Sequence, residues 1–178
     1  TQQLRAWHDA GHPDLMVAVN LSARQFQRGV VLKQVETALG ESGIPPSKLE
    51  LELTESVLMH DGELVTGALR QLKALGVKLS IDDFGTGYSS FAYLRRFKCD
   101  KIKIDQSFVH DLIDDPDNAA IVRGIISLAQ SLGLDVLAEG VENVAVAQRL
   151  KHLRCTYAQG YYFSRPLRPE LFLERVNA

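Results

Sequence analysis

Leu49-Glu50-Leu51-Glu52-Leu53-Thr54 alternates without a fault, with leucines at 49, 51 and 53 and polar side chains at 50, 52 and 54. Successive side chains of an extended chain point to opposite sides, so the stretch predicts a strand with one apolar and one charged face. Two further stretches repeat the pattern. In 77–82, Val77, Leu79 and Ile81 oppose Lys78, Ser80 and Asp82, and in 101–105, Ile102 and Ile104 oppose Lys101, Lys103 and Asp105. An open sheet covered by helices on both sides needs strands that are apolar on both faces. Strands of divided character instead suit a closed barrel with helices outside and a polar interior near its mouth. No G-x-G-x-x-G follows the first candidate strand, which further disfavours a dinucleotide-binding sheet.

Outward from these stretches, short apolar runs alternate with longer amphipathic ones. Candidate strands are 16–21, 49–53, 77–82, 101–105, 134–139 and 157–163. Candidate helices are 30–42, 63–75, 119–132 and 144–153, with Gly43, Gly76 and Gly133 where helices should stop. Such alternation means parallel strands joined by helical crossovers. The expected fold class is α/β, a TIM-like (β/α) barrel. A complete barrel has eight strands in roughly 250 residues, whereas this chain offers six candidates. Residues 1–10 read as the end of a helix, with Leu4 and Trp7 on one stripe and Gly11 as its stop. The expectation is therefore one domain over 1–178 that lacks roughly the first two strands.

Composition narrows the function. Of 178 residues, 46% are hydrophobic and 24% charged, with 20 Lys+Arg against 22 Asp+Glu. That is too apolar and too nearly neutral for a disordered chain. It also lacks the basic surplus that a DNA or RNA polymer would demand of its partner. No apolar run approaches the roughly 18 residues of a membrane span, and no secretory leader opens the sequence. Two scattered cysteines, Cys99 and Cys155, suggest neither a disulfide framework nor a zinc motif, so a reducing, cytoplasmic setting is expected.

In barrels of this kind the chemistry sits at the C-terminal strand ends. Those ends carry Asn20, Glu52 with Glu55, Asp82 and Asp83, Lys103 with Asp105, Glu139 with Glu142, and Gln159. Strand parity lets Asn20, Glu52, Asp82, Lys103, Asp105, Glu139 and Gln159 all face the axis. So many carboxylates beside one lysine repel one another and cannot all stay ionised without a counter-charge. Mg2+ or Mn2+, hard cations that prefer oxygen ligands, would supply it. The oxygens suffice for two ions, an arrangement suited to in-line attack of water on phosphorus. The bland alternative, acidic residues that cap helices or pair with surface lysines, is easier to accept for one such residue than for seven converging ones.

Other features carry less. His8 and His12 have a zinc-like spacing, but Gly11 and Pro13 interrupt the helix. Gly85-Thr86-Gly87 lacks the lysine-serine continuation of a P-loop and reads as a mobile loop beside Asp83. Ser22 and Ser56 have no His–Asp partners in view. Residues 111–117 read as a solvated loop from which Pro116 leads into a helix.

Six segments carry a resemblance: 19–26 (VNLSARQF), 52–56 (ELTES), 82–90 (DDFGTGYSS), 103–109 (KIDQSFV), 138–142 (AEGVE) and 159–167 (QGYYFSRPL). In this order they resemble the EAL family of bacterial cyclic-di-GMP phosphodiesterases, from the first residue to the last. The resemblance implies Asn20, Glu52 and Asp82 as ligands of a first metal, with Asp82 shared between two ions, Mg2+ or Mn2+. It implies Asp83, Asp105 and Glu139 as second-metal or water-positioning carboxylates, and Lys103 as the group that orients the attacking water and offsets charge on phosphorus. Gln159 would contact water or substrate, Ser22 and Arg24 would contact substrate, and Glu55 would anchor the loop 83–90. The implied reaction opens cyclic-di-GMP to a linear dinucleotide in second-messenger signalling. A homodimer through residues 91–98 and an upstream sensory or GGDEF-type domain are implied as well.

Two departures stand out. The Glu-Ala-Leu triplet that names the family does not occur in the chain, and Thr156 replaces an acidic residue common before the Gln-Gly-Tyr run. A receptor that binds cyclic-di-GMP without cleaving it is the competing expectation. A different divalent-metal barrel enzyme, such as a lyase with Lys103 as base, is a third.

Overall fold

The computed structural model describes residues 1–27, 29–59, 62–87, 94 and 98–177. In chain order its elements are α1 (Gln2–Asp9), β1 (Val17–Leu21), α2 (Ala23–Gln27), α3 (Val31–Ser42), β2 (Leu49–Thr54), α4 (Glu55–Met59), α5 (Gly62–Ala74) and β3 (Lys78–Phe84). There follow β4 (Lys101–Ile104), α6 (Gln106–His110), α7 (Pro116–Ser131), β5 (Asp135–Ala138), α8 (Val144–His152), β6 (Tyr157–Ala158) and α9 (Pro169–Val176). They form two compact units, one of residues 1–79 with 167–178, the other of residues 80–166. The remainder of the predicted mobile loop (88–90), and most of the predicted dimer segment 91–98, lie outside the described residues.

In the first unit β1 and β2 pair in parallel, from Val17 opposite Leu49 to Leu21 opposite Leu53. The alternation in β2 divides its faces as expected, but both are buried: Leu49, Leu51 and Leu53 on one side, Glu50 and Glu52 on the other. Helix α3 ends at Gly43, whose φ of 63° is the left-handed turn that a glycine adopts without a Cβ clash. The predicted N-terminal helix is α1. Its Leu4 is buried, and its Trp7 ring lies 4.8 Å from Phe172 of α9. His8 is not merely solvated, since its Nε2 lies 2.9 Å from the Leu15 carbonyl.

In the second unit β3, β4, β5 and β6 pair in parallel in that order. Helix α7 packs on β4 and β5, and Ile102, Ile104, Val122, Ile126, Val136 and Ala138 are buried. Asp115 caps α7 by accepting from Asp117 N–H at 2.8 Å, so the helix starts at Pro116, earlier than its apolar stripe. One expectation fails here. The strand predicted over 157–163 is only Tyr157–Ala158. Beyond it the chain turns, with the N–H groups of Phe163 and Ser164 both donating to Gly160 O. Four helices without a long apolar stripe (α2, α4, α6 and α9) were not foreseen either. No helix among the described residues is long and apolar enough to cross a membrane.

Candidate metal centre

Lys103 organises the polar face of the second unit. Its side chain is 5% exposed, and its Nζ lies 2.8 Å from Asp82 Oδ1 and 2.8 Å from Glu139 Oε1. The two carboxylates come from the ends of the strands on either side of β4. Glu139 follows β5 directly and extends its ladder, donating its N–H to Ile104 O at 3.1 Å. Gln159 follows β6 in the same manner. Its N–H donates to Ala138 O at 2.9 Å, and its side-chain amide donates to Glu139 Oε1 at 3.0 Å. Parity had placed Asp82, Lys103, Glu139 and Gln159 on one face, and here they meet.

Asp83 arrives by a route that parity does not predict. The register of β3 against β4 slips between Ile81 and Phe84, and Asp83 sits at φ 55°, the left-handed region where aspartate is among the few tolerated side chains. A bulge of this kind re-aims a side chain that strict alternation would send to the opposite face. One carboxylate oxygen each from Asp82, Asp83 and Glu139 consequently lie within 4.8 Å of one another. Burial, and then the negative charges of Asp82 and Asp105, push the Asp83 carboxyl up from its ordinary value, against the opposing pull of Lys103.

Asp105 sits one residue past the end of β4. It is the N-cap of α6, accepting from Ser107 N–H at 2.9 Å and from the Ser107 hydroxyl. Its carboxylate is thus held by a helix terminus and still repels Asp83. A single ammonium cannot neutralise Asp82, Asp83, Asp105 and Glu139. Hard oxygen donors within 4.8 Å of one another, one with a raised affinity for protons, fit a divalent cation.

In the first unit, Asn20 stands opposite Glu52 in the parallel register, which puts both side chains on the same face. Glu52 is 8% exposed. Glu55 opens α4 and is equally buried, and neither of its carboxylate oxygens has a hydrogen-bond partner among the described residues. Ser22 immediately precedes α2, with its N–H and hydroxyl both donating to Gln25 Oε1 at 2.9 and 3.0 Å. The spacing Ser-x-x-Gln is the sequence signal for such a cap. Arg24 is exposed on the same helix. Thr156 accepts from Val136 N–H at 3.2 Å, a structural use for its hydroxyl at the edge of β5. His110 and Glu142 form a peripheral pair, 4.0 Å apart and both exposed.

The sequence profile described as EAL domain matches residues 1–166. The chain belongs to the EAL domain family. EAL domains are TIM-like (β/α) barrels, and the described residues of this one include six strands. It is 45% identical over 175 residues, 98% of its length, to the bifunctional diguanylate cyclase/cyclic di-GMP phosphodiesterase MucR of Pseudomonas aeruginosa. It is 46% identical over 166 residues, 93% of its length, to the cyclic di-GMP phosphodiesterase NbdA of the same organism. It spans only 26% and 21% of those two proteins. The solved MucR phosphodiesterase, in complex with c-di-GMP, matches with a TM-score of 0.92 over 96% of this chain and 69% of that one. A manganese and c-di-GMP complex of Klebsiella pneumoniae BlrP1 matches at 33% identity with a TM-score of 0.78, over 85% of this chain and 39% of that one.

Proposed function

We propose that this EAL domain hydrolyses cyclic-di-GMP to the linear dinucleotide with Mg2+ or Mn2+ bound at the carboxylate cluster. The observation that carries the reading is the convergence of Asp82, Asp83 and Glu139 around Lys103, in a chain whose relatives are named for this activity. Asp82, Asp83 and Asp105 are assigned as metal ligands in the second unit, and Asn20 and Glu52 as metal ligands in the first. The cations, two by this assignment, would supply Lewis-acid stabilisation of the phosphodiester and lower the pKa of a coordinated water.

The protein's own residues do the rest. Lys103 holds Asp82 and Glu139 in place at 2.8 Å each and offsets charge that builds on the phosphoryl oxygens. Glu139, a second-metal ligand or water-positioning carboxylate, is joined to Gln159 at 3.0 Å, and the pair orients the attacking water. Ser22 and Arg24 are assigned to substrate phosphate or base, and Glu55 to anchoring the loop 83–90. A homodimer through residues 91–98 and an upstream sensory or GGDEF-type domain belong to the same proposal. In support, MucR is named as both diguanylate cyclase and cyclic di-GMP phosphodiesterase, and this chain matches only 26% of it.

The test is hydrolysis of cyclic-di-GMP by the full-length protein, in a single turnover with and without chelator. Glu52→Gln, Asp82→Asn and Lys103→Ala should each abolish most of the rate, and chelator should stop the reaction. Parental rates in all three variants would sink the assignment. Tight binding of the dinucleotide without cleavage in the presence of Mn2+ would identify a receptor instead.

A further inference from the structure

We propose that Gly140 and Gly160 are positioning residues for Glu139, allowing two backbone segments to close on it so tightly that its carboxylate keeps one orientation. The proposal rests on the metal-dependent reading above. A Cβ at Gly160 would stand 2.2 Å from Val141 O and 2.3 Å from Val141 N. Both are backbone atoms, which cannot swing aside as the end of a side chain can. With no Cβ there, the ladder past β5 is complete: Val141 N–H donates to Gln159 O and Tyr162 N–H donates to Val141 O, each at 3.0 Å.

Gly140 closes the other side. It lies at φ 67°, and its Cβ would stand 2.6 Å from Gln106 Cβ, at the start of the helix that Asp105 caps. Glu139 is therefore fixed between α6 and the turn after β6. In that place its Oε1 meets both the Gln159 amide at 3.0 Å and the Lys103 ammonium at 2.8 Å. A Cβ at either glycine would force a displacement on the order of 1 Å, and errors of that size in a positioned group cost about a hundredfold in rate. Gly133 is also left-handed, at φ 69°, but its Cβ would meet nothing within 4 Å.

The experiment compares Gly160→Ala, Gly140→Ala, the double variant Gly140→Ala/Gln106→Gly and Gly133→Ala in the full-length protein. Mn2+ affinity is read by calorimetry without substrate, alongside kcat, KM and melting temperature. Gly160→Ala and Gly140→Ala should weaken Mn2+ binding about tenfold or more, the range for residues that orient metal ligands. They should lower kcat while leaving KM near the parent's. Gly133→Ala should lose melting temperature but keep the parent's Mn2+ affinity, and removing the Gln106 Cβ should restore affinity to Gly140→Ala. Parental affinity in folded Gly160→Ala, or an equal weakening in Gly133→Ala, overturns the proposal. If Gly160→Ala does not fold, the Gly140→Ala pair decides: failure of Gln106→Gly to rescue counts against it. If the parent takes up no Mn2+, the metal reading falls by itself. The positioning claim is then decided by hydrogen exchange, where amides of Val141 and Tyr162 as protected in Gly160→Ala as in the parent would refute it.

Discussion

Neighbouring residues of β4 are alike in burial and opposite in character. Ile102 and Ile104 have no exposed surface, and Lys103 between them has 4%. Removing an isoleucine side chain from water is favourable by roughly 1.5–3 kcal/mol. Removing an ammonium costs several kcal/mol unless partners compensate, and Lys103 has Asp82 and Glu139 at 2.8 Å to do so. Burial alone therefore does not mark a core position. The apolar face stabilises the second unit, while the polar face holds like charges together at a cost that a bound cation would relieve.

The comparison predicts that the faces can be broken separately. The largest effect belongs to the polar face: Asp82→Asn should lower turnover of cyclic-di-GMP at least about a thousandfold, equivalent to about 4 kcal/mol, with an unchanged circular dichroism spectrum. On the apolar face, Ile104→Ala should cost about 2–5 kcal/mol in urea unfolding through the cavity it leaves. Its folded fraction should bind Mn2+ as the parent does. If Ile104→Ala altered Mn2+ affinity as strongly as Asp82→Asn altered turnover, the separation of faces would be wrong.

A smaller effect follows from Asp83. Its carboxyl binds a proton more tightly in the folded protein than in the unfolded chain. Ionising it therefore costs stability, and that cost appears as pH rises from the ordinary carboxylate value through the raised one. In metal-free protein, unfolding free energy should thus decline over that interval and then level off. Asp83→Asn should remove part of the decline, and saturating Mn2+ should reverse it. A metal-free Asp83→Asn protein with the parent's pH profile would contradict the crowding described for this cluster.

The smallest effect tests burial where neither face dominates. Cys155 donates to Tyr157 O at 3.2 Å, and desolvation pushes its thiol from 9.0 up to about 11. Near neutral pH its thiolate population, and with it the rate of alkylation, should be about a hundredfold below that of an ordinary thiol. Reaction at the free-thiol rate in the native protein would show that the β5–β6 edge opens.

Much of this was legible in the sequence. Alternation in 49–54, 77–82 and 101–105 fixes which side chains share a face, and it placed Lys103 with Asp82, Glu139 and Gln159. Gly43, Gly76 and Gly133 marked helix ends by a local backbone need, and each has a positive φ. What escaped depends on contacts between distant residues. The slip that aims Asp83 inward is a relation between β3 and β4, not a property of either. Strand β6 gives way to a turn in which the N–H groups of Phe163 and Ser164 donate to Gly160 O, which no propensity encodes. The role of Asp105 as a cap was available in principle from the short helix that follows, but α6 has too few apolar positions to show a helical period. The burial of the Glu55 carboxylate, without a hydrogen-bond partner among the described residues, could not be read at all, since it is visible only in three dimensions.

The most direct test of the account is an anomalous-scattering map at the manganese edge, from crystals of the protein grown with Mn2+ and a non-hydrolysable cyclic-di-GMP analogue. The expected result is a peak bonded to carboxylate oxygens of Asp82 and Asp83, with Lys103 beside the phosphate. A fully occupied analogue with no peak at those carboxylates would contradict it.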